Sequence, residues 1–455
     1  MNLQYFGFIP PEPDHAMTKL PILASLLLTL PLAAFAQGAP SAAQDAQLQK
    51  RVERVLTRTP LTDGHNDLPG AIHNGFDNVG NIDLAADTTN LQGKTRGGGV
   101  GKISLMTDIP RSRKGQLGAQ FWSVFIPASI TGPAAVKRTM EQIDIVRTMV
   151  DKYPKDMEMA YTADDIVRIH KAGRIASLIG VEGGHQMDNS LPVLRNYYLL
   201  GARYMTLTHG RTTDWADSAT DAPKHNGLTA FGRAVVHEMN RMGMLVDLSH
   251  VSPDTMRDAL QASQAPIIYS HSSVRALDDH PRNVPDDVLR MVKANHGIVM
   301  VNFNPPFVSQ AVFDWNAGHA GARAQFASRY SGQPDRAAKA LADWEQAHPE
   351  PKATLAEVAD HVEHIRKIAG VESVGIGSDF DGIGSTPEGL DAVDKYPDLF
   401  VELARRGWSD DDLAALAGNN LLRVMRQAEA VAKRLQATEA PSHATLAMDG
   451  QAADS

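Results

Sequence analysis

The 455-residue chain contains no cysteine, and that absence excludes more than any other feature of its composition. No disulfide can form and no thiolate can hold a metal, which leaves His, Asp and Glu as the strong ligands. The chain also has no surplus of basic charge. Its 44 Lys and Arg against 53 Asp and Glu give a formal net charge of −9, with both signs mixed throughout. A basic stripe that could follow a nucleic-acid backbone is missing, so nucleic acid is not an expected partner. Beyond the first 36 residues no apolar run is long enough to span a bilayer. What remains is a globular composition, 43% hydrophobic and 21% charged, with length for one large domain or two ordinary ones.

The opening residues contain an export signal displaced inward. Met17-Thr18-Lys19 begins a short basic region, Ile22 to Ala34 is apolar, and Ala34-Phe35-Ala36 supplies a small-x-small cleavage pattern. Residues 1–36 are therefore read as a leader whose true start is Met17, with a mature chain beginning near Gln37, exported to a bacterial periplasm or secreted. An uncleaved anchor is the other reading, weakened because the run is shorter than the ~20 apolar residues of a span. No cysteine follows the cleavage site, so no lipid can be attached there. Residues 37–48, rich in Ala, Gln and Ser, are expected to be a loose lead-in, and residues 438–455, polar and without period, a disordered tail. Between them, residues 49–437 form one expected domain. A polar, partly helical insertion at 305–353 interrupts it, of the kind that extends a loop and shapes a rim.

Eight apolar or β-branched runs punctuate this domain, at about 61–65, 120–126, 175–181, 203–208, 244–249, 266–270, 297–302 and 373–378. Helix-period segments fill most of the gaps: Pro133 to Asp151, Ser190 to Leu200, Leu228 to Met242, and Ser252 to Ala262 with its Ser252-Pro253 start signal. Eight strands alternating with helices predict a (β/α)8 TIM barrel, whose active sites lie where strands end and βα loops begin. An open doubly wound sheet is the alternative, but it would not bring six strand ends around one point.

Polar, chemistry-bearing residues stand at the ends of runs one, three, four, five, six and eight: His65 and Asp67, Glu182, His209, His250, His271 and Asp379. Any one of them alone reads as a hydrogen-bonded structural residue. Several His and carboxylates buried at one barrel mouth would be costly unless metals or mutual pairing compensated. Alternation along an extended chain points His65 and Asp67 the same way, so both can grip one ion. Glu182 has two oxygens and can bridge two ions, and His250 and His271, from adjacent strands, can complete a second position. Nitrogen and oxygen ligands without sulfur suit zinc best, with manganese or cobalt also accommodated.

From Leu61 to Arg426 the chain closely resembles the membrane dipeptidase (renal dipeptidase) family of zinc peptidases. The resemblance is carried by Asp63-Gly64-His65-Asn66-Asp67-Leu68-Pro69, Gly180 to His185, Arg203 to His209, Asp214-Trp215-Ala216-Asp217, Gly243 to Ser252, Ser270-His271-Ser272-Ser273, Arg282 to Asp287 and Asp379-Phe380-Asp381-Gly382. It implies the same barrel and a binuclear zinc site in which His65 and Asp67 bind one ion, His250 and His271 the other, and Glu182 bridges them. It also implies that His209 and Arg282 contact substrate and that Asp379 is the carboxylate beside the metal-bound water. On residue type alone, Arg282 would be a surface ion-pair former and Asp379 a helix N-cap. His185 and His73 receive no role and are read as structural. Vertebrate relatives are lipid-anchored and disulfide-linked, features that do not transfer to a chain without cysteine; homodimerisation is left open.

The implied activity is hydrolysis of free dipeptides, with the choice between L,L and L,D substrates left open, and with a hydroxide shared by two zinc ions as nucleophile. Asp379 would move the proton to the leaving amine, His209 would assist at the carbonyl oxygen, and Arg282 would pair with the C-terminal carboxylate. Two alternatives stand beside it. A related amidohydrolase acting on N-acyl amino acids or lactams would keep the metals, and a non-catalytic periplasmic binder would keep the pocket but have no use for a proton shuttle.

Overall fold

Eight short parallel strands follow one another around a closed barrel in chain order. They are Leu61–Asn66, Leu117–Phe125, Ile175–Glu182, Ala202–Thr206, Leu245–Asp247, Ile268–Tyr269, Ile298–Val301 and Val374–Ile376. Each pairs with the next, and the eighth returns to the first with Ile376 opposite Asp63. This computed structural model describes residues 42–449, residue 96 excepted. The (β/α)8 barrel expected from the strand rhythm is the fold observed. The strands read as continuous apolar runs because helices cover the barrel outside while side chains fill it inside. Every residue of Ile175–Glu182 is buried, for example.

The outer helices include Pro133–Lys152, Leu191–Leu199, Ala230–Met242 and Pro253–Ala262, and local signals fix their ends. Ser252 Oγ accepts the Thr255 N–H at 3.2 Å, which satisfies one of the orphan donors of the first turn, while Pro253 sacrifices no hydrogen bond there. The helix Ala230–Met242 stops at Gly243, whose φ of 82° is left-handed and free of the strain a side chain would bring. Two minor strand elements accompany the barrel. An antiparallel hairpin of Leu91–Lys94 and Val100–Ile103 decorates the loop after the first strand, and Met157–Met159 runs beside the start of the third.

The insertion is a helical hairpin, Gln310–Arg329 and Pro334–Ala347, held by its own aromatic cluster. Trp315 meets Trp344 across the two helices at 5.9 Å and donates its Nε1–H to the His348 carbonyl at 2.7 Å, while Trp315 stacks on His319 at 4.9 Å and Trp344 on His348 at 4.5 Å. No residue of Pro334–Ala347 is buried. The expectation that the insertion shapes the rim therefore holds only at its root, where Phe307 reaches the main cavity.

Both flanks are more ordered than composition suggests. Residues 42–48, assigned to a loose lead-in, open the helix Ala42–Arg58; Val52, Val55 and Leu56 of this helix are buried, and Asp45 accepts from Arg405 at 3.0 Å. Residues 438–449, assigned to a disordered tail, dock on the helix Ala230–Met242. Glu439 meets His237 at 2.6 Å, the Ser442 N–H donates to Glu238 at 3.1 Å, and Asp449 accepts the Phe231 N–H at 2.8 Å. These single polar contacts carry no periodicity, so the sequence pattern does not register them. The expected leader, its cleavage site and Gln37 lie outside the described residues. Among those described, no helix is long and apolar enough to cross a membrane.

Candidate metal centre and active site

All the residues singled out in the sequence meet at the C-terminal end of the barrel. Asp67, Glu182, His209, His250, His271, Arg282 and Asp379 line one cavity of about 800 Å³. His65 lies beneath it, fully buried, with Nε2 3.2 Å from Asp67 Oδ2 and 3.5 Å from Glu182 Oε2. Glu182 sits at the junction. Its other oxygen, Oε1, is 3.0 Å from His250 Nε2 and 3.5 Å from the Nε2 atoms of both His271 and His209. His250 and His271 face each other through their Nε2 atoms at 3.0 Å.

The backbone is bent to reach this arrangement. His250 and Asp379 adopt left-handed conformations, with φ of 69° and 66°, which non-glycine residues enter at a cost of roughly 1–3 kcal/mol. Strain at two strand exits, both aiming polar groups into one cavity, marks a site where geometry is kept for function. Gly377 permits the approach of the eighth strand to the sixth. A Cβ there would lie 1.9 Å from the Ser270 carbonyl oxygen.

The electrostatics divide the histidines of the cluster. Burial opposes the charged form of His65, but Tyr204, Glu182 and Asp67 outweigh it and hold the imidazole well above its usual range. Burial likewise opposes the charge on Glu182, yet His65, His209 and His250 keep it well below the usual carboxylate range. His250 and His271 are driven well down, first by burial and then by neighbouring positive charge. His250 and His271, neutral beside an ionised Glu182, are thus in protonation states that bind metal, whereas His65 would have to give up its proton to do so. Asp379 goes the other way, pushed up to about 8 by burial and by the charges of Asp67 and Glu182.

The donor set fits a metal. Three groups have ligand atoms within 4.8 Å of one another: His65, Glu182 and His271; Glu182, His209 and His250; His65, Asp67 and Asp379. The groups share Glu182 and His65, so the cluster is one connected centre. The Nε2 of His65 is buried with no well-aligned hydrogen-bond partner, its nearest oxygen being Asp67 Oδ2 at 3.2 Å, and in the neutral ring a bound cation would take its lone pair. His209, expected at the substrate, also stands within reach of this centre; its side chain, 24% exposed against 0% for His65, is the more open to the cavity.

Arg282 and Asp379 depart from what their residue types alone suggest. Arg282 is buried, not a surface ion-pair former, and no carboxylate lies within ion-pairing distance of it among the described residues. Its Nη atoms make only long contacts, 3.4 Å to Ser272 Oγ and 3.4 Å to the His271 carbonyl, and its guanidinium lies 5.3 Å from the Phe307 ring centre. Asp379 precedes a loop, not a helix, and its Oδ2 accepts from Asn302 Nδ2 at 2.9 Å. Sequence reasoning missed Asn302, Ser123, which donates to Glu182 Oε2 at 3.0 Å, and Phe125, whose ring meets that of His209 at 4.7 Å. Their one sequence signal is position at or near a strand end. His185 lies near His209, its pKa lowered to about 4 chiefly by burial, and His73 is half-buried in a separate pocket with Asp77 and Arg138.

The chain is similar to known proteins in sequence and in fold. Residues 49–439 match the model of the membrane dipeptidase family, peptidase family M19. The chain is 40% identical over 444 residues to Dipeptidase aclJ of Aspergillus oryzae, covering 94% of each chain. It is 39% identical over 395 residues to mouse Dipeptidase 3, covering 86% of this chain and 69% of that one. Among solved structures, the probable dipeptidase PvdM from Pseudomonas aeruginosa superposes with a TM-score of 0.68 at 24% identity, over 86% of this chain and 99% of that one. A Rhodobacter sphaeroides metallopeptidase liganded with a phosphinate mimic of L-Ala-D-Ala superposes with a TM-score of 0.64 at 21% identity, over 82% and 99%.

Proposed function

The chain belongs to the membrane dipeptidase family and is a dipeptidase hydrolase; from that premise we propose that it is a two-zinc enzyme cleaving free dipeptides, with L,D-dipeptides among its substrates. The observation that supports this reading is one cavity that joins a cluster of candidate metal ligands to a buried guanidinium with no counter-ion among the described residues. His65 and Asp67 would hold one ion, His250 and His271 the other, and Glu182 would contribute an oxygen to each. Zinc, when bound, supplies Lewis acidity and a water acidic enough to attack a carbonyl near neutral pH.

The protein's own groups do the rest. Arg282 offers a planar fork to the C-terminal carboxylate and thereby fixes how far the scissile bond sits from the end of the substrate. Asp379, held by Asn302, takes a proton from the attacking water and delivers it to the leaving amine nitrogen. His209, the histidine of the cluster more open to the cavity than His65, donates to the carbonyl oxygen as it gains negative charge. The test is direct. Purified protein with zinc is offered a panel of L,L and L,D dipeptides, their amides, and N-acyl amino acids. Hydrolysis of free dipeptides is the expected result; a preference for N-acyl amino acids would move the assignment to the amidohydrolase alternative.

A further inference from the structure

Asp247 ends the fifth barrel strand with its side chain fully buried and without an ion-pair partner among the described residues. Burying a lone carboxylate is costly, and here four donors offset the loss of water. Oδ1 accepts the N–H groups of Ser249 at 3.1 Å and Ser270 at 2.8 Å. Oδ2 accepts the Thr206 hydroxyl and, at 2.6 Å, the Ser270 hydroxyl. Ser270 Oγ in turn stands 2.8 Å from His271 Nδ1.

Proton counting fixes the direction of this chain. A carboxylate only accepts, and a hydroxyl has one proton to give. Ser270 therefore donates to Asp247 and can only accept from His271, which places the ring proton on Nδ1. The opposite nitrogen, Nε2, is left with a free lone pair, and it is Nε2 that faces Glu182 and His250. The same device appears at His65. Tyr204 donates to the Gly64 carbonyl at 3.3 Å, and its oxygen lies 2.8 Å from His65 Nδ1. Gly180 makes room for that phenol, since a Cβ there would fall 1.9 Å from Tyr204 Cζ.

We infer that Asp247 is a positioning residue that acts through the Ser270 hydroxyl to lock His271 in the tautomer able to bind metal. The inference rests on the reading of His271 as a metal ligand. Asp247→Asn preserves shape but reverses the relay. The carboxamide oxygen takes the two backbone N–H groups, so the amide NH₂ faces Ser270. Ser270 must then accept, and its own proton goes to His271 Nδ1, sending the ring proton to Nε2 where it blocks coordination. Ser270→Ala removes the link without reversing it.

The experiment strips the full-length protein of metal and titrates it with zinc against a chromophoric chelator, with cobalt absorption spectra as a second readout. Loss of an outer-shell partner to a ligand His costs about 10- to 100-fold in metal affinity. Asp247→Asn should lie near 100-fold and Ser270→Ala near 10-fold, both with altered cobalt bands, and the metal-free proteins should melt close to wild type. A purely structural Asp247 would lower the melting temperature without this ordering. Wild-type zinc affinity in either folded variant overturns the inference; if Asp247→Asn does not fold, Ser270→Ala alone decides. Because the readout is zinc binding, tight zinc in a wild-type protein that hydrolyses no dipeptide would sink the proposed activity and leave the relay standing.

Discussion

Arg282 should be the residue at which affinity and stability pull apart. It is 3% exposed, and its Nε has no partner; burial lowers the guanidinium pKa to about 10. Measured from 12.5, at about 1.4 kcal/mol per unit, the protein carries an unpaired charge at a cost on the order of 3 kcal/mol. A substrate carboxylate would offset that cost through a charge-assisted pair worth about 1.5–3 kcal/mol, or roughly 10- to 150-fold in binding. Arg282→Met keeps most of the volume and the contact with Phe307 while removing the charge. Its KM for free dipeptides should rise about 10- to 150-fold with kcat changed much less, because the lost contact serves ground state and transition state alike. Wild type should already hydrolyse amidated dipeptides and tripeptides poorly, and the substitution should barely alter those rates. Thermal unfolding should occur at or above the wild-type temperature, since a buried unpaired charge has gone. Steady-state kinetics on matched free and amidated substrates, with calorimetry, reads all three. Equal hydrolysis of free and amidated dipeptides by wild type, or a parallel loss on both in the variant, would refute the carboxylate gate.

Glu182→Ala should lose both tightly held zinc ions, because its two oxygens face the two halves of the cluster; elemental analysis of the folded protein checks this, and two retained ions would disprove the bridge. Asp379→Asn should keep zinc content and thermal stability while losing about 100-fold or more in kcat, the usual loss for a general acid–base group; unchanged turnover would remove Asp379 from proton transfer. Buried His361 accepts the Val274 N–H at Nδ1 (3.0 Å) and pairs with the Val308 carbonyl through Nε2 (3.2 Å), and burial lowers its pKa to about 4. The unfolded chain takes up that proton first, so this stabilisation is complete above about pH 6.5 and disappears as pH falls towards 4, a loss of about 2–3 kcal/mol; urea unfolding at pH 7 and pH 5 should show a smaller difference for His361→Gln than for wild type. Export with cleavage after Ala36 should yield a protein whose N-terminal sequence begins at or within a few residues of Gln37, and recovery of intact Met17 in a soluble cytoplasmic fraction would contradict it.

The barrel was legible because its signal is repeated. Each strand is buried on both faces, so each appears as an apolar run, and the runs recur with helix-period segments between them. Features that occur once were harder to read. The tail at 438–449 is docked by a carboxylate, an N–H and an ion pair, none of which leaves a pattern. The insertion could be read as helical and polar, but not as a hairpin sealed by its own Trp and His rings, because that depends on how its two helices face each other.

The site divides along the same line, and for a physical reason. Residues that face the cavity stand at strand ends, and strand ends can be found in a sequence; His65, Glu182, His250 and His271 were visible on that ground. The groups that hold them come from neighbouring strands, where the pairing register decides who meets whom. Asp247 lies opposite Ile268, which sets Ser270 two residues further on, beside the carboxylate. Tyr204 lies opposite Gly180, the one residue type that leaves space for the phenol that reaches His65. Neither relation can be inferred from spacing along the chain, since a shift of one residue would turn either side chain to the other face of the barrel wall. The candidate ligands are thus a property of the sequence, whereas the proton placement that would let them bind a metal is a property of the register.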